Sequence, residues 1–465
     1  MVQTTPNHHY YRDVLRVCLP LVMSMSATTV MEFTDRAFLA NYSVNAISAV
    51  VPAGITAFLF MALLGGIAGY TQVFIAQYHG AGRSERIGST LWQGIYFTLF
   101  SGVIFLLLSV FAAEPIFRLA GHPEEVRVLE ITYFNILCRG AILHVAMNAL
   151  AAFFTGRGLT RPVMVFHVLG TLINIPLDYA LIFGAWGFPE LGVKGAALAT
   201  VAAWLLITTL LALFVFTPIN IKRYNLFDTW RFDKDLFLRL MKFGIPGSLQ
   251  FTLDILAFTV FILLVGRIGK LELAATNIVI SINAVAFMPS IGVSQGISAL
   301  VGQALGRRKP EHARALTWRS IHLLLLYIFC IDMLFILFPE QVLSLFIPAG
   351  HSPMAYSKIL ELGVMLLRIV AAYLFFDALY MIFSGVLKGA GDTRFMMWSV
   401  GLASLFLMIA PIYIGISSFG FNVEQVWYCV LVYIFSLFLI VSFRYRQGKW
   451  QHMLVIEKYS EFRKD

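Results

Sequence analysis

Residues 193–217 read VKGAALATVAAWLLITTLLALFVFT and contain one charged side chain, that of Lys194. A helix of about 20 apolar residues is long enough to cross the hydrocarbon core of a bilayer. The stretch is too long for a β-strand, and its apolar and polar residues do not alternate, which argues against a β-barrel. It therefore predicts a membrane-spanning helix.

The rest of the chain has the same character. Of its 465 residues, 59% are hydrophobic and 13% are charged, whereas soluble domains contain roughly 25% charged residues. Runs long enough to span a bilayer occur twelve times. The predicted spans are 14–41, 47–77, 88–112, 129–155, 163–186, 193–217, 238–266, 272–302, 314–338, 356–388, 394–418 and 424–446. We therefore expect an all-α polytopic membrane protein with twelve transmembrane helices.

The longest segment between two spans separates six spans from six. No segment is long enough to be a separate soluble domain, so the domain organisation follows from this division of the spans into two halves. The expected parts are an N-terminal six-helix lobe over 1–217, a cytoplasmic linker over 218–237, a C-terminal six-helix lobe over 238–446 and a cytoplasmic tail over 447–465.

The two halves resemble each other weakly. Pro20 and Pro246 are 226 residues apart, and Gln77 and Gln303 have the same separation. The same offset relates two further pairs: Gly66 and Gly292, and Gly80 and Gly306. Six spans per half give both halves the same orientation, so we predict two pseudo-symmetric six-helix bundles. Transporters built from such repeats hold their substrate and ion sites near the interface of the repeats.

Lysine and arginine are distributed unevenly between the two sides of the predicted membrane region. Of the 34 residues of these types, 25 lie on the side of the N-terminus and six on the opposite side. Cytoplasmic loops carry such an excess, so we expect both termini in the cytoplasm and the protein in the cytoplasmic (inner) membrane. This distribution also explains the formal net charge of +9 without any binding of nucleic acid.

Residues 172–184, LINIPLDYALIFG, place Asp178 inside a predicted span. An ionised carboxylate in hydrocarbon costs about 2.5–3.5 kcal/mol or more, and such residues commonly have a function. Asp178 and Asp35 lie at similar depths, roughly 13 Å and 9 Å from the outer ends of their spans. Asn174 is on the same helix face as Asp178, and Pro176 between them leaves backbone carbonyls free.

These groups suggest a coupling-ion site of one of two kinds. Carboxylate, amide and carbonyl oxygens are suitable ligands for a small hard cation such as Na⁺. Two close carboxylates can instead share one proton, because both cannot stay ionised in a low dielectric. Glu32, one turn before Asp35, is a weaker candidate for the same site. The structural alternative is that Asp178 pairs with Arg36 or Arg139 and only holds helices together.

The second half has its own pair of intramembrane acids. Asp254 and Asp377 lie roughly 18 Å and 17 Å from the inner ends of their spans. Gln250 precedes Asp254 by one turn, and Tyr373 and Tyr380 flank Asp377 at helical spacing. Acids with aromatic neighbours favour an organic cation, through charge pairing and cation–π contacts. The alternative for the aromatic residues is ordinary packing.

The sequence lacks the motifs of several enzyme classes. It contains no P-loop of the form GxxxxGK[ST] and no HExxH, so ATP hydrolysis and zinc-protease chemistry are not expected. The four cysteines are scattered singly, and we interpret His144 and His167 as core histidines. We therefore expect no enzyme and no cofactor, and we expect an ion gradient to supply the energy.

Several stretches, taken in order, resemble one known family. They are TDRAFLANYS at the end of span 1, NIPLDYALIFG in span 5 and GVKGAALAT at the start of span 6. The Q-x-x-G ends of spans 2 and 8 and the GxG-type turns after spans 4 and 10 agree with them. Over essentially its whole length, the chain resembles the multidrug and toxin extrusion (MATE) transporters, of the bacterial NorM-like or DinF-like kind.

The resemblance implies roles for particular residues. Asp35, Asn174 and Asp178 match the first-half cation site, and Thr200 stands where a hydroxyl on span 6 often joins that site. The second-half acids of NorM-like members correspond to Asp254 and Asp377. The first of these is commonly glutamate in the family and is aspartate here. The arginine that follows Asp35 replaces the small polar residue expected from the resemblance.

The resemblance also implies a function. We expect an antiporter that exports small amphipathic organic cations, including drugs, in exchange for Na⁺ or H⁺ by alternating access. It would act as a monomer among membrane lipids. Two alternatives remain open: a lipid-linked precursor flippase of the same broad superfamily, which needs a basic cavity, and an intramembrane lipid-modifying enzyme, which needs clustered acids or histidines at one membrane face.

Overall fold

The computed structural model describes residues 8–345 and 353–457. Within these ranges, twelve helices are long and apolar enough to cross a membrane. We label them α1 to α12 in chain order: His9–Tyr42, Val44–Gly80, Ser84–Ala120, Glu124–Thr155, Arg161–Phe183, Val193–Val215, Lys234–Val265, Lys270–Gly306, Pro310–Leu337, Ser357–Ala390, Thr393–Phe419 and Val423–Arg446. Each overlaps one predicted span. The prediction of an all-α, twelve-helix, multi-pass membrane protein is confirmed.

Local sequence signals begin and end several of these helices. The Ser43 side chain accepts a hydrogen bond from the Ala46 backbone N–H (3.0 Å) at the start of α2. Asn422 and Gln425 form a reciprocal capping box at the start of α12. Gly184 ends α5 with a φ of 68°, a left-handed conformation that glycine adopts without steric cost.

Contacts divide the described chain into two compact units. Unit 1 comprises residues 8–22, 249–301, 310–345 and 353–453, and unit 2 comprises residues 23–248, 302–309 and 454–457. The chain passes from one unit to the other within α1, within α7, near the end of α8, at the start of α9 and after residue 453. The lobes that we predicted from the long linker stay a prediction.

Unit 2 is built around α4. This helix packs against α2, α3 and α6, and α6 packs in turn against α5. The interhelical core is apolar, with fully buried aromatic side chains such as Phe74, Phe134 and Phe153. Helices α1, α2, α4, α5 and α6 all reach the candidate site described below.

Unit 1 has the same packing pattern six helices later. There α10 packs against α9 and α12, and α12 packs against α11. α8 also approaches α10, because a Cβ added to Gly385 would lie 2.5 Å from the Ser294 carbonyl oxygen. The repeated pattern is what two pseudo-symmetric six-helix bundles require.

The glycines of the two Q-x-x-G motifs make a reciprocal contact within unit 2. A Cβ added to Gly80 would lie 2.1 Å from the Gln303 carbonyl oxygen, and a Cβ added to Gly306 would lie 2.1 Å from the Gln77 carbonyl oxygen. Each glycine thus faces the backbone of the glutamine from the other repeat. This close approach explains why the motif carries glycine at both positions.

Candidate functional site

A cavity of about 270 Å³ lies in unit 2. Most of its wall is apolar or aromatic, and Phe58 and Trp204 are among the aromatic residues. A few polar side chains interrupt this wall, including Asp35, Thr171 and Thr200. An apolar cavity with a small number of placed polar groups is typical of a small-molecule binding site.

Asp35 projects from α1 at the cavity wall and is only 6% exposed. The hydroxyl of Tyr133 on α4 donates a hydrogen bond to Asp35 Oδ2, with an oxygen–oxygen distance of 3.2 Å. Asp35 Oδ1 is buried and has no hydrogen-bond partner among the described residues. An ionised carboxylate can accept about four hydrogen bonds, so Asp35 retains most of its capacity for a ligand.

Asn174 and Asp178 lie on α5 and are fully buried. Both polar atoms of Asn174 and both carboxylate oxygens of Asp178 are without hydrogen-bond partners in residues 8–345 and 353–457. Asp178 interacts electrostatically with Asp35, and Tyr133 interacts with both acids. The structure therefore brings the two predicted carboxylates close together. An unsatisfied buried polar group costs about 1–3 kcal/mol, so such a cluster is suited to hold an ion or a proton.

The structural alternative for Asp178 is not supported by the positions of the two arginines. The Arg36 guanidinium lies 4.0 Å from the Glu32 carboxylate, and both side chains are 52% exposed. Arg139 is exposed as well. No ion pair joins either arginine to Asp178 in the part of the chain that the structure describes.

Thr171 and Thr200 contribute hydroxyl groups to the wall. Thr200 on α6 donates its hydroxyl to the Ala196 carbonyl oxygen (3.1 Å), so the lone pairs of its oxygen can still face a cation. Thr171 on α5 donates its hydroxyl to the Ala27 carbonyl oxygen of α1 (3.1 Å). The hydrogen bond of Thr171 joins α5 to α1 about two helical turns before Asp178 and Asp35.

The two intramembrane histidines also lie on the cavity wall. We interpreted them from the sequence as core residues, and that interpretation stays a prediction, because a side chain can be packed in the core and also line a cavity. The His144 ring packs edge-on against Trp204 with a centroid distance of 5.3 Å. His167 is 8% exposed.

The second predicted cluster is assembled in unit 1. Gln250 Nε2 donates a hydrogen bond to the Tyr380 hydroxyl oxygen, at 2.9 Å. Asp377 is 9% exposed and interacts electrostatically with Asp254 and Tyr373. Tyr380 interacts with both acids. The five side chains that we selected from the sequence therefore form one polar group.

Sequence reasoning missed several partners of these acids. Tyr433 on α12 donates its hydroxyl to Asp254 Oδ1 at 2.7 Å, and Lys388 interacts electrostatically with Asp254. Tyr133 escaped notice in the same way, because a single sequence does not say which helix faces which. Asp332 in α9, whose Oδ1 is buried, was also overlooked. It could have been found by the criterion that selected the other acids, which is a carboxylate inside an apolar span.

Twelve membrane-crossing helices, a packing pattern repeated after six helices, and two buried acid clusters define a transporter with an internal repeat. The chain belongs to the MatE family, whose sequence model matches residues 20–180 and 246–414. The two matches begin at Pro20 and Pro246, which are the prolines that revealed the repeat. Membership of this family confirms the predicted resemblance, and it makes the chain a transporter and not an enzyme.

The chain is similar to known proteins over most of its length. It is 25% identical to the probable multidrug resistance protein NorM of Thermotoga maritima, over 96% of this chain and 94% of the relative. It is 27% identical to the probable multidrug resistance protein NorM of Synechocystis, over 85% and 87%. Its fold matches a solved outward-facing structure of a multidrug resistance MATE family transporter of the MOP superfamily, with a TM-score of 0.86, 20% identity and coverage of 98% and 100%.

Proposed function

We propose that the chain is a cation-coupled antiporter that exports amphipathic organic cations, including drugs. It would act as a monomer in the cytoplasmic (inner) membrane, with both termini in the cytoplasm, and would exchange its cargo for Na⁺ or H⁺ by alternating access. The family and the multidrug resistance names of the relatives support transport of drugs.

One observation carries the proposal: Asp178 is buried without hydrogen-bond partners in the described chain and interacts electrostatically with Asp35, which lies at the cavity wall. Asn174, one turn before Asp178 on α5, is buried without hydrogen-bond partners as well. A pair of neighbouring buried carboxylates is costly unless a cation or proton neutralises it. Asp35 would give an ion in the cavity its first ligand, and Asp178 and Asn174, one turn apart on α5, would supply further ones. This arrangement is suited to bind one small cation reversibly.

Coupling follows if the ion and the drug favour different states of the protein. Neutralising Asp35 and Asp178 removes the electrostatic cost of bringing α1 and α5 together in unit 2. A ligand can shift a conformational equilibrium only through such a difference in affinity. Ion binding from outside would then weaken drug binding, and drug binding from inside would weaken ion binding by the same factor.

We assign the second acid group to the cargo. Asp254 and Asp377 would supply negative charge for an organic cation, and Tyr373 and Tyr380 would supply ring faces. Gln250 holds the Tyr380 hydroxyl at 2.9 Å and so fixes the orientation of this ring. Substituting either acid by its amide should weaken binding of a cationic dye more than binding of an uncharged dye of the same size.

Thr200→Val provides a test that separates sodium from proton coupling. Valine keeps the shape of threonine but removes a hydroxyl oxygen from the cavity that Asp35 also lines. A sodium ion needs such oxygens, whereas a carboxyl proton does not. We expect the sodium concentration for half-maximal transport to rise by about 3- to 10-fold, the effect of losing one contact worth ~1 kcal/mol. Transport driven by a pH gradient should be unchanged.

The comparison is made in proteoliposomes with the two gradients imposed separately. Thr209→Val, which removes an exposed hydroxyl that donates to the Leu205 carbonyl oxygen on the same helix, is the matched control. An unchanged sodium dependence in a sodium-driven transporter would remove Thr200 from the site.

The proposed cargo is tested with ethidium, a fluorescent amphipathic cation, in inverted membrane vesicles. The lumen of an inverted vesicle corresponds to the outside of the cell. Ethidium should accumulate in the lumen when the coupling ion is more concentrated there than in the medium, and should not accumulate without a gradient. The flippase alternative requires a basic cavity, whereas the described wall holds Glu32 and Asp35 beside Arg36. Movement of lipid pyrophosphates without movement of ethidium would favour the flippase and contradict the proposal.

A further inference from the structure

The last described residues of the chain, 454–457, belong to unit 2 and are held there at several points. Val455 is 1% exposed and Ile456 is 8% exposed, and both belong to the same buried apolar cluster as Leu236 and Leu240 of α7. A short chain segment that buries two branched apolar side chains is docked, because each buried side chain of this size contributes about 1.5–3 kcal/mol.

A glutamine from the sequence repeat fixes the backbone of this segment. The Val455 N–H donates a hydrogen bond to Gln77 Oε1 at 2.8 Å, and the Ile456 N–H lies 3.5 Å from the same oxygen. Gln77 itself is fully buried at the inner end of α2. Its backbone carbonyl meets Gly306, as described above, so one residue links the reciprocal glycine contact to the C-terminal segment.

Glu457 completes the attachment with its charge. Its carboxylate lies 2.8 Å from Arg86 Nη2 and 3.1 Å from Arg239 Nη1, and it accepts a hydrogen bond from the Tyr78 hydroxyl at 2.7 Å. The carboxylate side chain is only 7% exposed. Three donors from α2, α3 and α7 therefore converge on one acid, and charge-assisted hydrogen bonds of this kind are the stronger ones.

The linker before α7 joins the same network. Arg86 Nη1 donates to Asp233 Oδ2 at 2.9 Å, and Asp233 Oδ1 accepts the Leu236 N–H at 3.0 Å at the start of α7. Both arginines are about 30% exposed. The network lies at the helix ends that we predict to be cytoplasmic, outside both intramembrane acid clusters.

We propose that residues 454–457 form a clasp on the inner ends of α2, α3 and α7, and that the clasp opens during each transport cycle. The reason is the position of α2, which carries Gln77 and Tyr78 at its inner end and lines the cavity with Val50 and Phe58 further along. A change of α2 that exposes the cavity to the other side would separate these partners. The clasp then stabilises one state of the cycle.

The clasp should respond to acid in a defined window. Burial opposes ionisation of Glu457, but the hydrogen bond from Tyr78 and the charges of Arg86 and Arg239 outweigh it and hold the pKa of this carboxyl below its usual range. A lowered folded-state pKa means that the stabilisation is complete above the unfolded value of about 4.3 and is lost as the pH falls through the folded value.

The pH test compares the wild type with Glu457→Gln by thermal unfolding. We expect the wild type to be the more stable protein by a constant margin at neutral and mildly acidic pH. The margin should shrink only below about pH 4.3. A margin that disappears near pH 6, or that persists unchanged at pH 3, would contradict the ion pairs as the source of the docking.

The cycle itself is tested by hydrogen exchange on the full-length protein in nanodiscs, together with ethidium transport in proteoliposomes. Glu457→Gln should speed exchange of the Val455 and Ile456 amides by about tenfold or more. It should also change transport per folded molecule by about threefold or more, in the same direction as deletion of residues 454–465. Glu85→Gln, an exposed acid next to Arg86, is the control and should change neither quantity.

Turnover conditions give the most direct result. In the wild type, exchange of the Val455 and Ile456 amides should rise when ethidium and the driving gradient are both present. Protection that stays the same during turnover, or transport that is the same in the wild type, Glu457→Gln and the deletion, would overturn the clasp. The inference rests on the proposed transport function, whose failure is seen separately as absence of ethidium transport by the wild type.

Discussion

Asp178→Asn should reduce gradient-driven export of ethidium to the level of protein-free liposomes. Asparagine has the shape of aspartate, but it cannot take up a proton and gives a sodium ion no negative charge. Coupling between two ligands is typically worth ~1–3 kcal/mol, or about 5- to 150-fold in affinity. Loss of that coupling leaves the gradient unable to drive the cargo. Efflux is measured in proteoliposomes under sodium and pH gradients imposed one at a time.

Folding should survive the change, which separates a lost site from a lost structure. Asp178 is buried without a hydrogen-bond partner in the described chain, so replacing its carboxylate by an amide removes the free-energy cost of burying a charge. We expect the thermal midpoint of Asp178→Asn in ion-free buffer to equal or exceed that of the wild type. Asp332→Asn makes the same change in α9, outside both acid clusters, and should transport normally. Undiminished transport by Asp178→Asn would remove it from the coupling site.

Gly306→Ala and Gly80→Ala should be the most disruptive single-methyl substitutions in the inner half of unit 2. In each case the new Cβ would lie 2.1 Å from a backbone carbonyl oxygen, so no side-chain rotation can relieve the clash. The backbones must move apart, at a cost of about 1–3 kcal/mol or more. We expect a lower thermal midpoint and a lower yield of folded protein for both variants.

Gly69→Ala is the control for these substitutions, because Gly69 lies on α2 like Gly80, and its Cβ would meet its nearest neighbour, Asn148 Cβ, at 3.8 Å. This is an ordinary contact, and alanine is the better helix former. The double variant Gly80→Ala/Gly306→Ala should lose less stability than the sum of the two single losses, because both substitutions push the same two backbone segments apart. Stability of either glycine variant equal to that of Gly69→Ala would contradict the reciprocal contact.

The helices were predictable because their signal is long and repeated. A run such as 193–217 contains enough apolar residues to cross a bilayer as a helix, and the structure has α6 there. Depth along a helix also follows directly from residue count. That is why Asp35 could be paired with Asp178, and Asp254 with Asp377, from depth alone, and the structure shows an electrostatic interaction within each pair.

Partners across helices were not predictable in the same way. Tyr133 and Tyr433 are ordinary residues of apolar spans in the sequence, and only the packing of α4 and α12 brings them to an acid. The docking of Glu457 joins residues almost 380 positions apart, and no local pattern encodes such a distance. The sequence repeat pointed to Gln77 and Gly306, but only the structure shows that the two residues are in contact.

The central claim is that one buried site in unit 2 couples ion binding to drug binding. The most direct measurement is the number of ions released when purified protein binds ethidium, followed with ²²Na⁺ for sodium and with a pH indicator for protons. The wild type should release Na⁺ or H⁺ as ethidium binds. Asp178→Asn should still bind ethidium and release neither. Equal ion release by the wild type and Asp178→Asn would contradict the account.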